Sequence, residues 1–245
     1  MRKLIAFVFI ITSVFAYAQD STKTKKPRRF FIGVNFSPDY CFRTLKNIDG
    51  GAISTMIYDN DNQIQTAKFG FSSGINACYI ITKHISVDLG VQYSNKGYQT
   101  AENALTFGTP PRRGFVYNFP TSGKIVYRYN YIDIPLKVNF VFGKKKLRLI
   151  SSIGLTTNIF ISETNSFIGK YSNGASFKNS STSSSGINRL NLSPTVSCGI
   201  DYKMNDKMFF RVEPTFRYGV IATASALISE HIWNAGLNVS YYFGL

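Results

Sequence analysis

The sequence predicts an all-β protein, an eight-stranded antiparallel up-and-down transmembrane β-barrel with short periplasmic turns and long extracellular loops. Three observations carry that reading. Two-sided alternation recurs along the chain, short connections alternate strictly with long ones, and no apolar run beyond the N-terminus is long enough for a spanning helix.

In an extended chain successive side chains point to opposite faces, so a half-apolar strand appears as period-two alternation. The first such segment, Phe30 to Phe42, sets Phe30, Ile32, Val34, Phe36, Tyr40 and Phe42 against Gly33, Asn35, Ser37 and Asp39. The second, Phe69 to Ile81, opposes Phe69, Phe71, Ile75, Tyr79 and Ile81 to Gly70, Ser72, Gly74 and Asn76. The turn Thr82-Lys83-His84 leads into Ile85, Val87, Leu89, Val91 and Tyr93, so the second and third segments form a tight hairpin. The fourth, Ile125 to Phe142, changes apolar parity near Tyr131. A bulge, or a strand that continues past the membrane, accounts for the change. Leu147 to Ile161, Leu190 to Tyr202 and Met208 to Tyr218 supply the fifth, sixth and seventh. The last sixteen residues close the series, with Trp233, Ala235, Leu237, Val239, Tyr241, Phe243 and Leu245 on one side and Asn234, Gly236, Asn238 and Ser240 on the other. Tyr242 is the one large residue on the small face.

Short links fall at Thr82 to His84, Gly143 to Lys146 and Lys203 to Lys207. Long links fall at Arg43 to Ala67, Tyr98 to Lys124, Ser162 to Arg189 and Ile221 to Ser229. With both termini on the short side, this is the pattern of an outer-membrane meander. The Ser/Asn/Gly-rich stretch Asn179 to Gly186 reads as a mobile loop tip. A soluble barrel with the apolar face inward would carry Lys and Glu outside. Here the polar face is mostly Gly, Ser, Asn and Thr, which suits a crowded lumen.

The N-terminus points to export. Arg2 and Lys3 precede an apolar run from Leu4 to Tyr17, and Ala16 and Ala18 occupy the two positions a signal peptidase reads, so the mature chain is expected to begin at Gln19. Fourteen apolar residues fall short of the roughly 20 that a spanning helix needs. The expected organisation is a signal peptide at 1–18, a basic periplasmic arm at 19–29 and a barrel at 30–245, located in the outer membrane.

Losing Arg2 and Lys3 lowers the formal charge from +15 to +13, still basic, but no helix carries clustered basic residues with base-reading spacing, so nucleic acid is not an expected partner. The basic excess gathers on the short-turn side, in Lys23 to Arg29, Lys83, Lys144 to Lys146, Lys203 and Lys207 against Asp20 and Asp206. Phospholipid headgroups are the partner this suggests. Three cysteines, Cys41, Cys78 and Cys198, are expected as buried thiols rather than a disulfide. Two histidines, His84 and His231, without cysteine neighbours do not make a zinc site, and no phosphate-binding glycine loop precedes a helix. Ser229, Glu230 and His231 lie too close in sequence to converge as a triad. No enzyme activity, metal or cofactor is expected.

Eight strands enclose a lumen that side chains can fill. The expected inward charges include Asp88, Lys96 and Asp201, with a network of Asp133, Lys137, Arg148, Arg211, Glu213 and Arg217. Buried charges must pair and hydrogen-bond. The segment Glu213 between Arg211 and Arg217 is the expected focus, as a packed polar core or, alternatively, a narrow proton or ion path.

Three stretches resemble the small outer-membrane β-barrel family of Bacteroidota that contains the PorT-like proteins: Phe71 to Gln92, Tyr131-Ile132-Asp133-Ile134-Pro135-Leu136-Lys137, and Phe210 to Gly219 with Glu213-Pro214 inside a strand. The resemblance implies an eight-stranded outer-membrane barrel and leaves a role in a secretion apparatus as an alternative. The terminal strand is also similar to the signal read by the barrel-assembly machinery, through Asn234, Gly236, Val239 and Tyr241. The expected role is structural or binding through the long loops, with aromatic and basic pieces such as Phe107 to Tyr117, including Arg112 and Arg113, contacting acidic glycans or a partner protein.

Overall fold

The alternation closes on itself. In the computed structural model, which describes residues 28–105, 119–143, 145–183, 186–224 and 228–245, the strands are β1 (Phe30–Asn47), β2 (Gln65–Ile80), β3 (Ile85–Thr100), β4 (Asn103–Ala104), β5 (Ser122–Phe142), β6 (Leu147–Lys170), β7 (Ser176–Ser183), β8 (Leu190–Lys203), β9 (Met208–Tyr218) and β10 (Ile228–Gly244). One helix, α1 (Ala52–Ile64), joins β1 to β2. Eight strands form an antiparallel ring in the order β1-β2-β3-β5-β6-β8-β9-β10, and β10 pairs back onto β1 from Phe31↔Gly244 to Asn47↔Ile228. β4 and β7 stand outside the ring, paired to the outer ends of β5 and β6.

The barrel is inverted relative to a water-soluble protein. Val34, Ile75, Leu149, Ile153 and Val196 are more than half exposed on the outer face, while Ser37, Asp39, Asp133, Arg211 and Glu213 are at most 1% exposed inside. An apolar surface of this extent is tolerable only against hydrocarbon. At its extracellular rim Trp233 meets Phe42 at 6.1 Å, Phe216 at 6.0 Å and Tyr40 at 6.4 Å, an aromatic girdle at the membrane interface. Above Trp233 the outward positions of β10 are His231 and Ser229, and above Phe42 those of β1 are Thr44 and Lys46. The hydrocarbon belt therefore ends at Trp233 and Phe42, and the rest of each strand stands outside it.

Several long links are more ordered than their composition suggests. The expected loop tip at Asn179 to Gly186 is instead strand through Ser183, paired with β6 over Glu163↔Ser183 to Lys170↔Ser176. A run of Ser, Thr and Asn carries no apolar period, but the edge of β6 supplies the backbone partners that order it. Helix α1 occupies the link after β1, where Asn47 Nδ2 donates to Thr55 Oγ1 at 3.1 Å. Its exposed Ile53 and Met56 give no inward stripe from which a helix could be read.

The parity change near Tyr131 has one of the two expected causes, a strand that continues past the membrane: the inward side of β5 stays odd-numbered from Tyr129 through Asp133 to Asn139, and the nearby bulge belongs to β6. The β5–β6 register shifts between Asn130↔Ser162 and Tyr131↔Phe160, leaving one extra residue in β6. β5 runs past the belt, so Tyr129 and Tyr131 turn into the barrel mouth while Ile132, Ile134 and Leu136 face lipid. One cysteine departs from expectation: Cys41 and Cys78 are buried, but Cys198 is exposed, because its apolar face is the lipid face. Three prolines interrupt ladders without shifting register, since proline has no N–H to give. Pairing skips Pro38 between Phe36↔Val239 and Asp39↔Gly236, Pro135 between Leu89↔Leu136 and Gln92↔Asp133, and Pro214 between Ser197↔Thr215 and Ile200↔Val212.

Candidate functional site

The small polar face of each strand leaves room for long side chains from opposite walls to meet in the lumen. Asp88 on β3 and Arg211 on β9 do so at 2.6 Å, and Asp201 on β8 accepts from Arg148 on β6 while lying 3.8 Å from Arg211. Glu213 receives Lys137 Nζ at 3.1 Å and the hydroxyls of Ser152 and Ser197, each at 2.9 Å. Asp133 pairs with Lys96 at 2.9 Å and accepts from Asn158 Nδ2 at 2.6 Å, and Ser193 Oγ in turn donates to Asn158. Asp39 accepts from Ser37 Oγ at 2.7 Å, Ser72 Oγ at 3.1 Å and Arg217 Nη1 at 3.5 Å.

All six of the anticipated network residues lie in the lumen, in a different arrangement. Arg211, Glu213 and Arg217 share the inner face of one strand, so each reaches across to another wall rather than to its neighbour. Glu213 is held by Lys137 and two serines, while the arginines serve Asp88, Asp201 and Asp39. Asp39 is the member that sequence reasoning passed over. Its place on the inner face beside Pro38 was the available signal.

Aromatic clusters close both ends. At the periplasmic end Phe31, Cys78, Phe209 and Tyr242 pack together; the rings of Phe209 and Tyr242 stack at 4.5 Å, and Arg211 lies over both. The large residue on the small face is thus a plug, and its hydroxyl donates to Asp88 at 3.1 Å. A cavity lined by Cys78, Phe209, Arg148 and Arg211 measures ≈ 20 Å³, about one water's space. At the outer end Tyr98, Tyr129, Tyr131 and Ile232 form a second cluster. The Arg43 guanidinium sits 4.6 Å over the Tyr98 ring, and Tyr98 Oη donates to Glu230 Oε2 at 2.9 Å. Glu230 stands above the belt, and burial among these rings pushes its carboxyl up to about 7.

Ser229, Glu230 and His231 do not converge. Glu230 points into the mouth, and His231, on the opposite face of β10, stacks on Tyr218 with Nδ1 3.0 Å from the Gly219 carbonyl. His84 rests against the Val141 carbonyl in the β2–β3 turn. Among the described residues no group of His, Cys, Asp and Glu side chains could hold a metal ion.

Within the terminal segment, Asn234 is buried on the lumen face and Tyr241 is exposed on the lipid face. Gly236 faces inward where a Cβ would lie 1.8 Å from Asp39 Oδ1 and 2.7 Å from the Pro38 carbonyl, so no other residue fits there. Arg28, the first described residue, donates to the Gly244 carbonyl at 2.7 Å and ties the N-terminal side to the closing strand. Ala16, Ala18, Gln19, most of the basic arm and the Phe107 to Tyr117 loop piece lie outside the described residues.

The model of the outer membrane protein beta-barrel domain family matches residues 17–245. No curated protein matches the chain. Among solved structures, Ail, the attachment invasion locus protein of Yersinia pestis, in complex with the heparin analogue sucrose octasulfate, is similar at 12% identity and a TM-score of 0.37, covering 89% of this chain and 100% of its own. The outer membrane protein OprG of Pseudomonas aeruginosa is similar at 10% identity and a TM-score of 0.47, covering 89% and 98%. The N-terminal beta-barrel domain of OprF from Pseudomonas aeruginosa is similar at 13% identity and 0.33, covering 86% and 97%. With the family model spanning the whole barrel and an apolar belt around a charged lumen, this chain belongs to the outer membrane β-barrel domain family and is an integral protein of the outer membrane.

Proposed function

We propose that the protein is a non-enzymatic, non-conducting barrel that holds a binding surface outside the cell. One observation supports this above the others: the lumen is filled by cross-wall ion pairs and covered at both ends by aromatic clusters, while β5, β6 and β7 continue beyond the belt. A rigid base with an extended outer rim serves binding better than passage. The separation of Glu230 from His231 and Ser229 across β10 supports a role without catalysis. Planar-bilayer recording tests the closed lumen. No single-channel steps are expected across salt conditions, and steps in the wild type overturn the reading.

Export by cleavage between Ala18 and Gln19 goes with this reading, and Edman sequencing of the membrane-extracted protein is expected to begin at Gln19. Recognition of Asn234, Gly236, Val239 and Tyr241 by the barrel-assembly machinery belongs to the same proposal. A second reading, a component of a secretion apparatus, is favoured by the PorT-like stretches Tyr131 to Lys137 and Phe210 to Gly219. Purification in mild detergent separates the two, because a stoichiometric protein partner favours secretion and its absence favours a stand-alone binding barrel.

A further inference from the structure

We propose that the barrel seats one anionic phospholipid of the periplasmic leaflet, with an acyl chain in a groove across β6, β8 and β9 and its phosphate at the lysines of the turns below. The groove encloses ≈ 590 Å³ on the lipid face. Its floor follows from register. Phe140, Ser151 and Cys198 lie in one row across β5, β6 and β8, and Pro214 takes the next position where the β8–β9 ladder is interrupted. Its wall is the row Ile153, Val196 and Phe216, continued by Ala235 on β10, and below the floor, toward the turns, stands the row Leu149, Ile200 and Val212. Two small side chains and a proline thus lie between ridges of branched and aromatic ones, a channel about one side chain deep. Because it opens into the belt, whatever fills it comes from the membrane.

Charge identifies which molecule. The same strands end at the β5–β6 and β8–β9 turns, which carry Lys145, Lys146, Lys203 and Lys207, and Lys203 N donates to the Lys146 carbonyl at 2.7 Å, joining the two turns. One carboxylate lies among them, Asp206, on Lys203 at 2.7 Å. Ser151 and Cys198 are five residues from Lys146 and Lys203, about 16 Å at 3.3 Å per residue, the span from a headgroup into its own chain. Basic side chains at an interface attract anionic lipid, and the hydrocarbon then anchors by burial. A second copy of the chain fits less well. A two-fold contact through the groove brings the two lysine clusters together, and like charges there repel. The inference is independent of any extracellular ligand and uses only the orientation of the barrel.

Native mass spectrometry of the full chain, released from nanodiscs of phosphatidylglycerol and phosphatidylethanolamine, tests it. The wild type is expected to retain one phosphatidylglycerol after delipidation. The triple variant Lys145→Gln, Lys146→Gln, Lys207→Gln is expected to weaken retention on the order of 100-fold. Ser151→Phe and, separately, Cys198→Phe fill the groove with the lysines intact and are expected to weaken it roughly tenfold. Leu89→Ala, on the far side of the belt, is expected to leave it unchanged, and heat-modifiable gel mobility confirms that each variant is folded. Equal retention in all variants overturns the proposal. So does retention that survives both groove variants, or displacement by inorganic phosphate alone, since either reduces the site to an anion patch. Oxidative cross-linking of Cys198 to Cys198 in native membranes overturns it in favour of a second copy.

Discussion

Removing one partner of the Lys137–Glu213 pair tests whether the lumen is held by matched charges. Glu213 is fully buried and accepts Lys137 Nζ at 3.1 Å together with the two hydroxyls of Ser152 and Ser197. At an effective dielectric of about 20 the charge pair alone is worth up to about 5 kcal/mol before desolvation is set against it. Glu213→Ala leaves Lys137 buried without its partner and is expected to cost about 3–5 kcal/mol. Lys137→Met leaves the carboxylate with two serine donors and is expected to cost about 1–3 kcal/mol. The double variant Lys137→Met, Glu213→Ala is expected to be at least about 2 kcal/mol more stable than the summed single effects, because no orphaned charge remains. Urea unfolding in detergent, followed by emission from Trp233, the single tryptophan, measures all four states. A cost below about 1 kcal/mol for Glu213→Ala, or additivity within about 0.5 kcal/mol, refutes the matched-charge account.

Three further outcomes are expected. Glu230, whose neighbours include Tyr98, Tyr129, Arg43 and Glu163, keeps its proton in the folded barrel up to about pH 7, whereas the unfolded chain loses it near 4.5. Folding therefore takes up a proton between those values, and stability falls as pH rises through them, by an amount on the order of 3 kcal/mol; Glu230→Gln should flatten that slope in pH-dependent urea titrations. Tyr242→Ala should cost about 3–5 kcal/mol by removing the ring stacked on Phe209, while Tyr242→Phe, which loses the bond to Asp88, should cost about 1 kcal/mol. Gly236→Ala should fail to refold even in detergent without assembly factors, because its Cβ meets Asp39 at 1.8 Å; normal refolding combined with failed insertion in cells indicates that recognition, not packing, governs this glycine.

Strand number, facing and connection order were legible because period-two alternation is a local property. Phe30 to Phe42 and Trp233 to Leu245 declare their faces without reference to any neighbour. Two kinds of feature were not legible. Secondary structure outside the belt, such as β7 and α1, has no hydrophobic face to report it and depends on an adjacent edge or cap. Pairings within the lumen depend on how far strands are staggered around the ring. Glu213 lies two residues from Arg211 in sequence, but its partner Lys137 is three strands around the ring in one direction and five in the other, and that relation follows from closure, which no single segment encodes. The outer aromatic cluster was half visible. The odd-numbered tyrosines 127, 129 and 131 marked the parity change, but their convergence with Tyr98 and Glu230 requires β3 and β10 to be placed beside them.

The charged lumen is explained better by register than by net stability. Ion pairs buried in a protein interior often contribute little beyond a well-packed apolar core. In a membrane barrel, however, an apolar lumen would leave the inner and outer faces of each strand alike, and a slip of one residue would have little cost. Such a slip exchanges the faces of the whole strand. On β9 it would move Arg211, Glu213 and Arg217 from the lumen into the belt, and charges on the lipid face cost roughly 2–4 kcal/mol each near the midplane for arginine and less for glutamate. The penalty for this strand alone approaches the whole stability of an ordinary domain, about 5–15 kcal/mol. Asp39 and Arg217 extend the constraint across the ring, since they meet only when β1, β9 and β10 are all in register, and Gly236 supplies the gap that lets Asp39 in. The same buried charges that occupy the lumen therefore define a single way of closing the barrel.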